Sequence, residues 1–370
     1  MTRRAILVAC LLVAGLAGSG ERLAYAASSS TAQAKAQAHR IVDSTGRAVT
    51  LPERLERIGC LLGGAYEKAF LFGVADKVVV RAATSPPPWM IQTNPHAAEI
   101  PTMRDSHNPN IEELLRLKLD VLFFWDDPEQ VARLERNGIV VVSPQLTNHK
   151  DFDSAEAFVA RFKADVVNYG NTLGGPAAAK ARAWSDYVDQ RVRYVQERLA
   201  SLAPTQRPRT YYVRGPDALT THGKEQNISW LGEMAGADMV VRRSSAQNIA
   251  KVSIEQIMLW NPEVIFVGRQ YSPDTVLKDP RWRHIAAVKN GRVHVIPDGV
   301  FFWDGGSEGI LLLQFLAQKL HPELFPDLDM RRETMDYYKN FYGYPMRPDE
   351  ADLLLSGRGP DGQRHNSMNN

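Results

Sequence analysis

The chain has 370 residues, 44% of them hydrophobic and 23% charged, with 44 basic side chains against 42 acidic ones. That is the composition of a globular protein with chain enough for two or three domains. A formal charge of only +2 excludes a protein that works by bulk attraction to nucleic acid or to an anionic membrane.

Arg3 and Arg4 precede an apolar run from Ala5 to Ala17, and Ala24-Tyr25-Ala26 supplies a small-residue cleavage site. Residues 1–26 therefore read as a secretory signal peptide. The run is too short for a comfortable membrane span. Leu7-Val8-Ala9-Cys10 offers lipid anchoring at Cys10 as the minor alternative. Cleavage after Ala26 would leave 41 basic and 41 acidic residues, with Cys60 alone. One cysteine forms no internal disulfide, so the fold has to stand on its core. Residues 27–38, rich in Ala, Ser, Gln and Lys, read as a flexible leader.

Arg40–Asp43 and Ala48–Leu51 flank a Gly46 turn and predict a hairpin. Strands are expected at Arg57–Leu62, Lys77–Val80, Val121–Phe124 and Ile139–Val142. Helices are expected at Tyr66–Phe72, Asn110–Leu117 and Pro128–Arg136. β-Branched runs alternating with helices indicate a mostly parallel sheet covered on both faces. From Pro176 to Leu202 there is no Gly or Pro, and Trp184, Tyr187, Val188, Val192, Val195 and Leu199 fall near one face of one long helix. The alternation then restarts, with strands at Thr210–Val213, Val264–Val267 and Arg292–Ile296. Helices are expected through Trp230–Met234, Gly309–Leu320 and Met330–Phe341. The divisions are an N-terminal lobe at 39–173, an interdomain helix at 174–204, a C-terminal lobe at 205–345 and a polar tail at 346–370, expected to fray from Ser356.

The sequence repeats itself. Asn110–Trp125 matches Ser253–Gly268 without a gap, 143 residues on, and Ala75–Arg81 echoes Ala237–Arg243. Asn110 and Ser253 are good N-caps, with Glu113 and Gln256 placed to complete capping boxes. Two copies flanking a long helix imply an α/β fold class of two Rossmann-like lobes, with central, mostly parallel sheets joined by one long interdomain helix. Such sheets bind ligands beyond the carboxyl ends of their strands, and a cleft between two lobes is the expected site.

No G-x-S-x-G elbow, P-loop or H-E-x-x-H is present. The chain therefore reads as a binder and not an enzyme. The rival from another class is an exported α/β hydrolytic enzyme, with Asp126 and Asp304 paired across the cleft as acid and base.

Several marks occur in order along Ile41–Phe325: Asp43-x-x-Gly46-Arg47-x-Val49, Asn110-Ile111-Glu112, Leu119-Asp120-Val121, Ser253-Ile254-Glu255, Asn261-Pro262-Glu263-Val264-Ile265 and Ala287–Val293 before Gly309-x-Leu311-x-Leu313. In these the chain resembles the class III periplasmic substrate-binding proteins of ABC importers, the ferric siderophore, haem, cobalamin and metal-chelate family. The resemblance implies a periplasmic, monomeric protein with limited hinge motion. It would hold no intrinsic cofactor and would deliver a chelate of Fe(III) or another transition metal to an ABC permease. A ferric siderophore is the first expectation. A nickel or other metal chelate, haem, cobalamin and a molybdate-type oxyanion are the alternatives. The family docks through one acidic residue per lobe. In the N-lobe this falls on Glu112. In the C-lobe Glu225 and Glu233 both lie near the expected helix, and Glu233 is taken.

The loops after the strands offer Tyr66, Arg104, Trp125, Arg214, Arg269, Tyr271 and Trp303 as ligand-binding residues, with Arg81, Trp89, Asp126 and Asp304 beside them. Arginine forks suit carboxylate or catecholate oxygens, and aromatic walls suit a flat chelate. His107 and His222 are weak metal candidates, without the paired spacing of a metal site.

Overall fold

The computed structural model describes residues 39–146, 152–269 and 271–365. The signal-peptide and leader expectations lie outside them, as does His149.

The hairpin forms as expected, β1 (His39–Val42) pairing antiparallel with β2 (Ala48–Leu51). Asp43 fixes its turn by accepting hydrogen bonds from Thr45 and Arg47. The N-lobe sheet contains β3 (Ile58–Cys60), β4 (Val78–Ala82), β5 (Thr102–Met103), β6 (Val121–Phe123) and β7 (Val141–Val142), in the order β5-β4-β3-β6-β7 and parallel throughout. Its helices are α1 (Ala65–Leu71), α2 (Pro88–Thr93), α3 (Ile111–Leu117) and α4 (Pro128–Arg136). β3 and β6 are wholly buried, which accounts for their unbroken apolar sequence.

Sequence reasoning placed one long helix between the lobes, and the structure has an antiparallel pair. α5 (Ala155–Leu173), which went unpredicted, turns at Gly174 (φ 68°) into α6 (Gly175–Leu199). α6 is about 37 Å long at 1.5 Å per residue. Trp184, Val188, Val192, Val195 and Leu199 are buried along it as the apolar stripe requires, while Tyr187 is half-buried. The pair packs closely because a Cβ at Gly170 would lie 2.4 Å from that of Ala181.

The C-lobe sheet holds β8 (Arg209–Val213), β10 (Asp238–Met239), β12 (Val264–Val267) and β13 (Val293–Val295), parallel in the order β10-β8-β12-β13. β9 (Thr220–His222) and β11 (Ile249–Lys251) form a separate antiparallel pair. The helices are α7 (Asn227–Met234), α8 (Ile254–Trp260), α9 (Gly309–Leu320) and α10 (Met330–Tyr337), then α11 (Pro348–Leu355).

The long repeat is structural. α3 leads into β6 and α8 into β12. Asn110 and Ser253 accept hydrogen bonds from the amides of Glu113 and Gln256, each at 3.1 Å. Lys118 and Asn261 close the two helices with φ of 49° and 43°. The shorter echo is not structural: Val78–Val80 lies in the strand β4, whereas Val240–Arg243 forms a 3-10 turn after the short edge strand β10.

The C-terminal segment does not fray at Ser356. Ala351 and Leu354 of α11 are buried, and the carbonyl of Arg358 accepts a hydrogen bond from the Trp89 indole at 2.8 Å. Residues expected to form a loose tail thus pack on the N-lobe.

Candidate functional site

All strands of both main sheets end toward the space between the lobes, and a cavity of about 440 Å³ opens there. The loops after β3 and β4 supply most of its wall, including Leu62, Tyr66 and Pro87. The C-lobe supplies Phe301 and Phe302 from the loop between β13 and α9. The volume lies in the ordinary range for small-ligand sites, about 300–1,000 Å³.

Two arginines line this cavity, and the fold uses them differently. Arg81 is buried, and its guanidinium donates to the carbonyls of Ala97, Ala82 and Thr84 at 3.2, 3.1 and 2.7 Å. It is spent on holding its own loop. Arg104 is exposed and has no ion-pair partner among the described residues. Ser85 and Ser106 add hydroxyls to the wall. Tyr66 is buried and accepts a hydrogen bond from Asn94 at 3.0 Å. Burial, reinforced by Cys60, pushes its phenol up, so it stays neutral.

The remaining predicted residues take other places. Trp125 stacks on His107 with ring centroids 4.2 Å apart, at the end of β6, and its indole nitrogen is buried without a hydrogen-bond partner. That stack commits His107 to an aromatic contact. Arg269 stands behind Phe302, its guanidinium carbon 4.1 Å from the ring centroid. Two contacts to Asp304 orient it, from Nε at 3.0 Å and Nη2 at 2.8 Å. Burial alone would raise the Asp304 carboxyl, but Arg269 outweighs it and holds it below the usual carboxylate range. Asp304 is therefore an anchor for Arg269 and not a free acid. Arg269 adopts φ 56°, a sparsely populated conformation for a long side chain. Lys118 and Asn261, the other non-glycine residues at positive φ among those described, are helix caps.

Arg214, Tyr271 and His222 form a second group at the carboxyl ends of the C-lobe strands. Tyr271 packs over Gly215, where a Cβ would fall 1.8 Å from its ring. Arg214 Nε, the Tyr271 hydroxyl and His222 Nδ1 are buried without hydrogen-bond partners. Burial lowers the His222 imidazole to about 4, against the opposing pull of Asp304 and with Arg269 and Arg214 adding to the effect. It is neutral at pH 7. Among the described residues no group of three or more His, Cys, Asp and Glu could hold a metal.

Two expectations need correction. Trp303 is fully buried and donates to Glu308 at 3.2 Å, so it is core and not cleft. Three aromatics in succession cannot all face one side, and here Phe301 and Phe302 face the cavity. Glu233 makes a two-point contact with Arg242 at 2.8 and 3.0 Å, and Arg242 lies over the Trp230 ring. Its carboxylate is already engaged. The register of the repeat instead aligns Glu112 with Glu255. Each stands in the exposed first turn of a helix that precedes a buried strand. Each such helix runs antiparallel to its strand, so both carboxylates sit at the cleft end of their lobes. The matched Asn-Ile-Glu and Ser-Ile-Glu triplets carried that signal.

The sequence model of the periplasmic binding protein family matches residues 60–299. The molybdate-binding protein MolA of Haemophilus influenzae is 28% identical over 374 residues, 95% of this chain and 99% of the relative. Its molybdate-bound structure superposes with a TM-score of 0.75 at 23% identity, covering 84% of this chain and 99% of that one. A periplasmic solute binding protein from Veillonella parvula gives 0.73 at 24% identity, covering 86% and 97%. The two-lobed fold, the cleft between the lobes and the family match together place the chain in the periplasmic binding protein family, whose members are substrate-binding subunits of ABC importers and not enzymes.

Proposed function

We propose that this chain captures a compact anionic metal chelate, of the ferric siderophore type, and delivers it to an ABC permease as a periplasmic monomer released by cleavage after Ala26. One observation carries the choice of ligand. Arg104 is the unspent cation of a cavity otherwise walled largely by Leu62, Tyr66, Phe301 and Phe302. A single guanidinium fork on an apolar, aromatic surface suits a ligand with an organic body and an anionic edge. Fe(III) or another transition metal enters as cargo, fully held by its chelator, and asks no ligand of the protein. Ligand enters between the lobes, Arg104 meets its charge, and the phenylalanines exclude water. Glu112 and Glu255, one per lobe, then meet basic groups on the permease.

A bare molybdate-type oxyanion is the second reading, favoured by the full-length likeness to a molybdate-binding protein. It would use Arg104 and the hydroxyls of Ser85 and Ser106 and leave most of the cavity to water.

Tryptophan fluorescence of the chain from Ala27, titrated with catecholate, hydroxamate and citrate complexes of iron, with haem, cobalamin, nickel–histidine and molybdate, separates these. Saturable binding of one ferric complex is expected. Selective binding of molybdate would establish the second reading. Binding of cobalamin alone would overturn both.

A further inference from the structure

Few large apolar side chains are exposed among the described residues, and three of them stand on the two helices that open the repeated unit. Leu115 on α3 is 49% exposed, and Met258 and Leu259 on α8 are 50% and 80% exposed. These helices bury other faces: Leu114 on α3, Ile257 and Trp260 on α8. The outward residues therefore do not belong to the core. Leu115 and Met258 occupy the same register position, and each lies three residues beyond the matched acid, Glu112 or Glu255. Side chains three apart on a helix are surface neighbours. Each lobe thus presents the same pair at its cleft end, a carboxylate with an apolar side chain one turn on.

The next position breaks the symmetry. In the N-lobe it is Arg116, which approaches Glu112 at 3.6 Å. In the C-lobe it is Leu259, the most exposed of these apolar residues. The N-lobe acid is partly answered within its own helix, whereas the C-lobe acid stands beside two uncovered apolar side chains.

We infer that these acid-plus-apolar pairs are the two feet by which the chain stands on its permease, and that the C-lobe foot carries the larger share of the contact. The inference rests on the importer reading above. The occupant is a partner with two equivalent sockets, since the chain offers one pattern twice. Each socket has a basic rim for the carboxylate and an apolar floor for the neighbour. Charge complementarity steers and orients such contacts, and buried apolar anchors supply most of the affinity. The unequal feet fix which lobe enters which socket once ligand has broken the equivalence of the two.

The test uses the ligand-loaded chain and the cognate permease–ATPase complex in lipid nanodiscs, with ligand binding measured in parallel. The variants are Leu115→Ser and the double change Met258→Ser with Leu259→Ser. All three sites are exposed, so folding and ligand affinity should stay at wild-type values. The double variant should weaken permease binding by about tenfold or more, the equivalent of about 1.4 kcal/mol. Leu115→Ser should weaken it by about threefold, corresponding to a smaller buried apolar area. If Glu112→Gln and Glu255→Gln weaken binding while the serine variants do not, the acids dock alone and the inference fails with the importer reading intact. If wild-type protein binds ligand but no permease complex, the importer reading itself falls. A concentration-dependent dimer that the double variant abolishes would assign the patch to a second copy and overturn the proposal.

Discussion

The Tyr342 hydroxyl, from the turn that ends α10, donates to the Glu67 carboxylate of α1 at 2.8 Å, across the boundary between the lobes. Ser307 donates to the same oxygen, Tyr337 donates to Ser307 at 2.9 Å, and the Trp184 indole of α6 donates to Tyr337 at 3.0 Å. All these groups are buried. One relay thus ties the long helix, the C-lobe and the N-lobe together behind the cleft. The second Glu67 oxygen pairs with the buried Lys68 at 2.7 Å. An arrangement with every member partnered is rigid, which restricts the lobes to small relative motion.

Removing the centre of that relay should be costly. Glu67→Ala strands the Lys68 ammonium in the interior and is expected to cost about 3–5 kcal/mol. Tyr342→Phe removes one neutral donor and should cost about 1 kcal/mol. Urea denaturation followed by tryptophan fluorescence measures both. Equal effects would show that Lys68 finds another partner.

The two cavity arginines should separate stability from binding. Arg81→Ala leaves three carbonyls without their donor, and thermal melting should show a loss of roughly 1–3 kcal/mol. Arg104→Ala should melt like the wild type and bind anionic ligand about tenfold or more weakly, since a charged hydrogen bond is lost. A destabilised Arg104→Ala with unchanged affinity would reverse these roles.

His222 should make stability fall in acid. Its folded value is lowered by burial to about 4, from an ordinary 6.5. The unfolded chain therefore takes up the proton first as pH drops. The contribution is complete above about pH 6.5 and is lost as pH falls toward 4, by at most about 3 kcal/mol. His222→Gln should flatten the curve in that window. His294, lowered to about 4 by burial and by Lys319 and Arg292, keeps part of the slope. Melting temperature against pH for both proteins tests the sign.

At the α5–α6 crossing, Gly170→Val should cost about 1–3 kcal/mol through overpacking against Ala181. Gly170→Ala should cost less. Chemical denaturation would check the order of the two.

The fold was largely legible in the sequence because its grammar is local. Val264–Val267 and Gly309–Leu320 form elements with the predicted bounds, and Asn110 and Ser253 cap their helices. α5 was not read, since Ala155–Leu173 contains Gly170, and the value of that glycine comes only from Ala181 on the next helix. The C-terminal segment looked loose because its partners, Trp89 and Glu67, lie more than 250 residues earlier in the sequence. At the site, strand-end positions brought Tyr66 and Arg104 into the cavity wall. No local rule distinguishes Arg104, which is free, from Arg81, which is tied to carbonyls. Nor does one tell that Trp303 turns inward while Phe301 and Phe302 turn out.

Calorimetric titration of the chain from Ala27 and of its Arg104→Ala variant, each with the ferric complexes and with molybdate, tests the central claim most directly. The account predicts one-to-one, submicromolar binding of an anionic ferric chelate by the wild type, weakened about tenfold or more in the variant. Equal affinity in the two proteins, or tight binding confined to a neutral or cationic ligand, would contradict it.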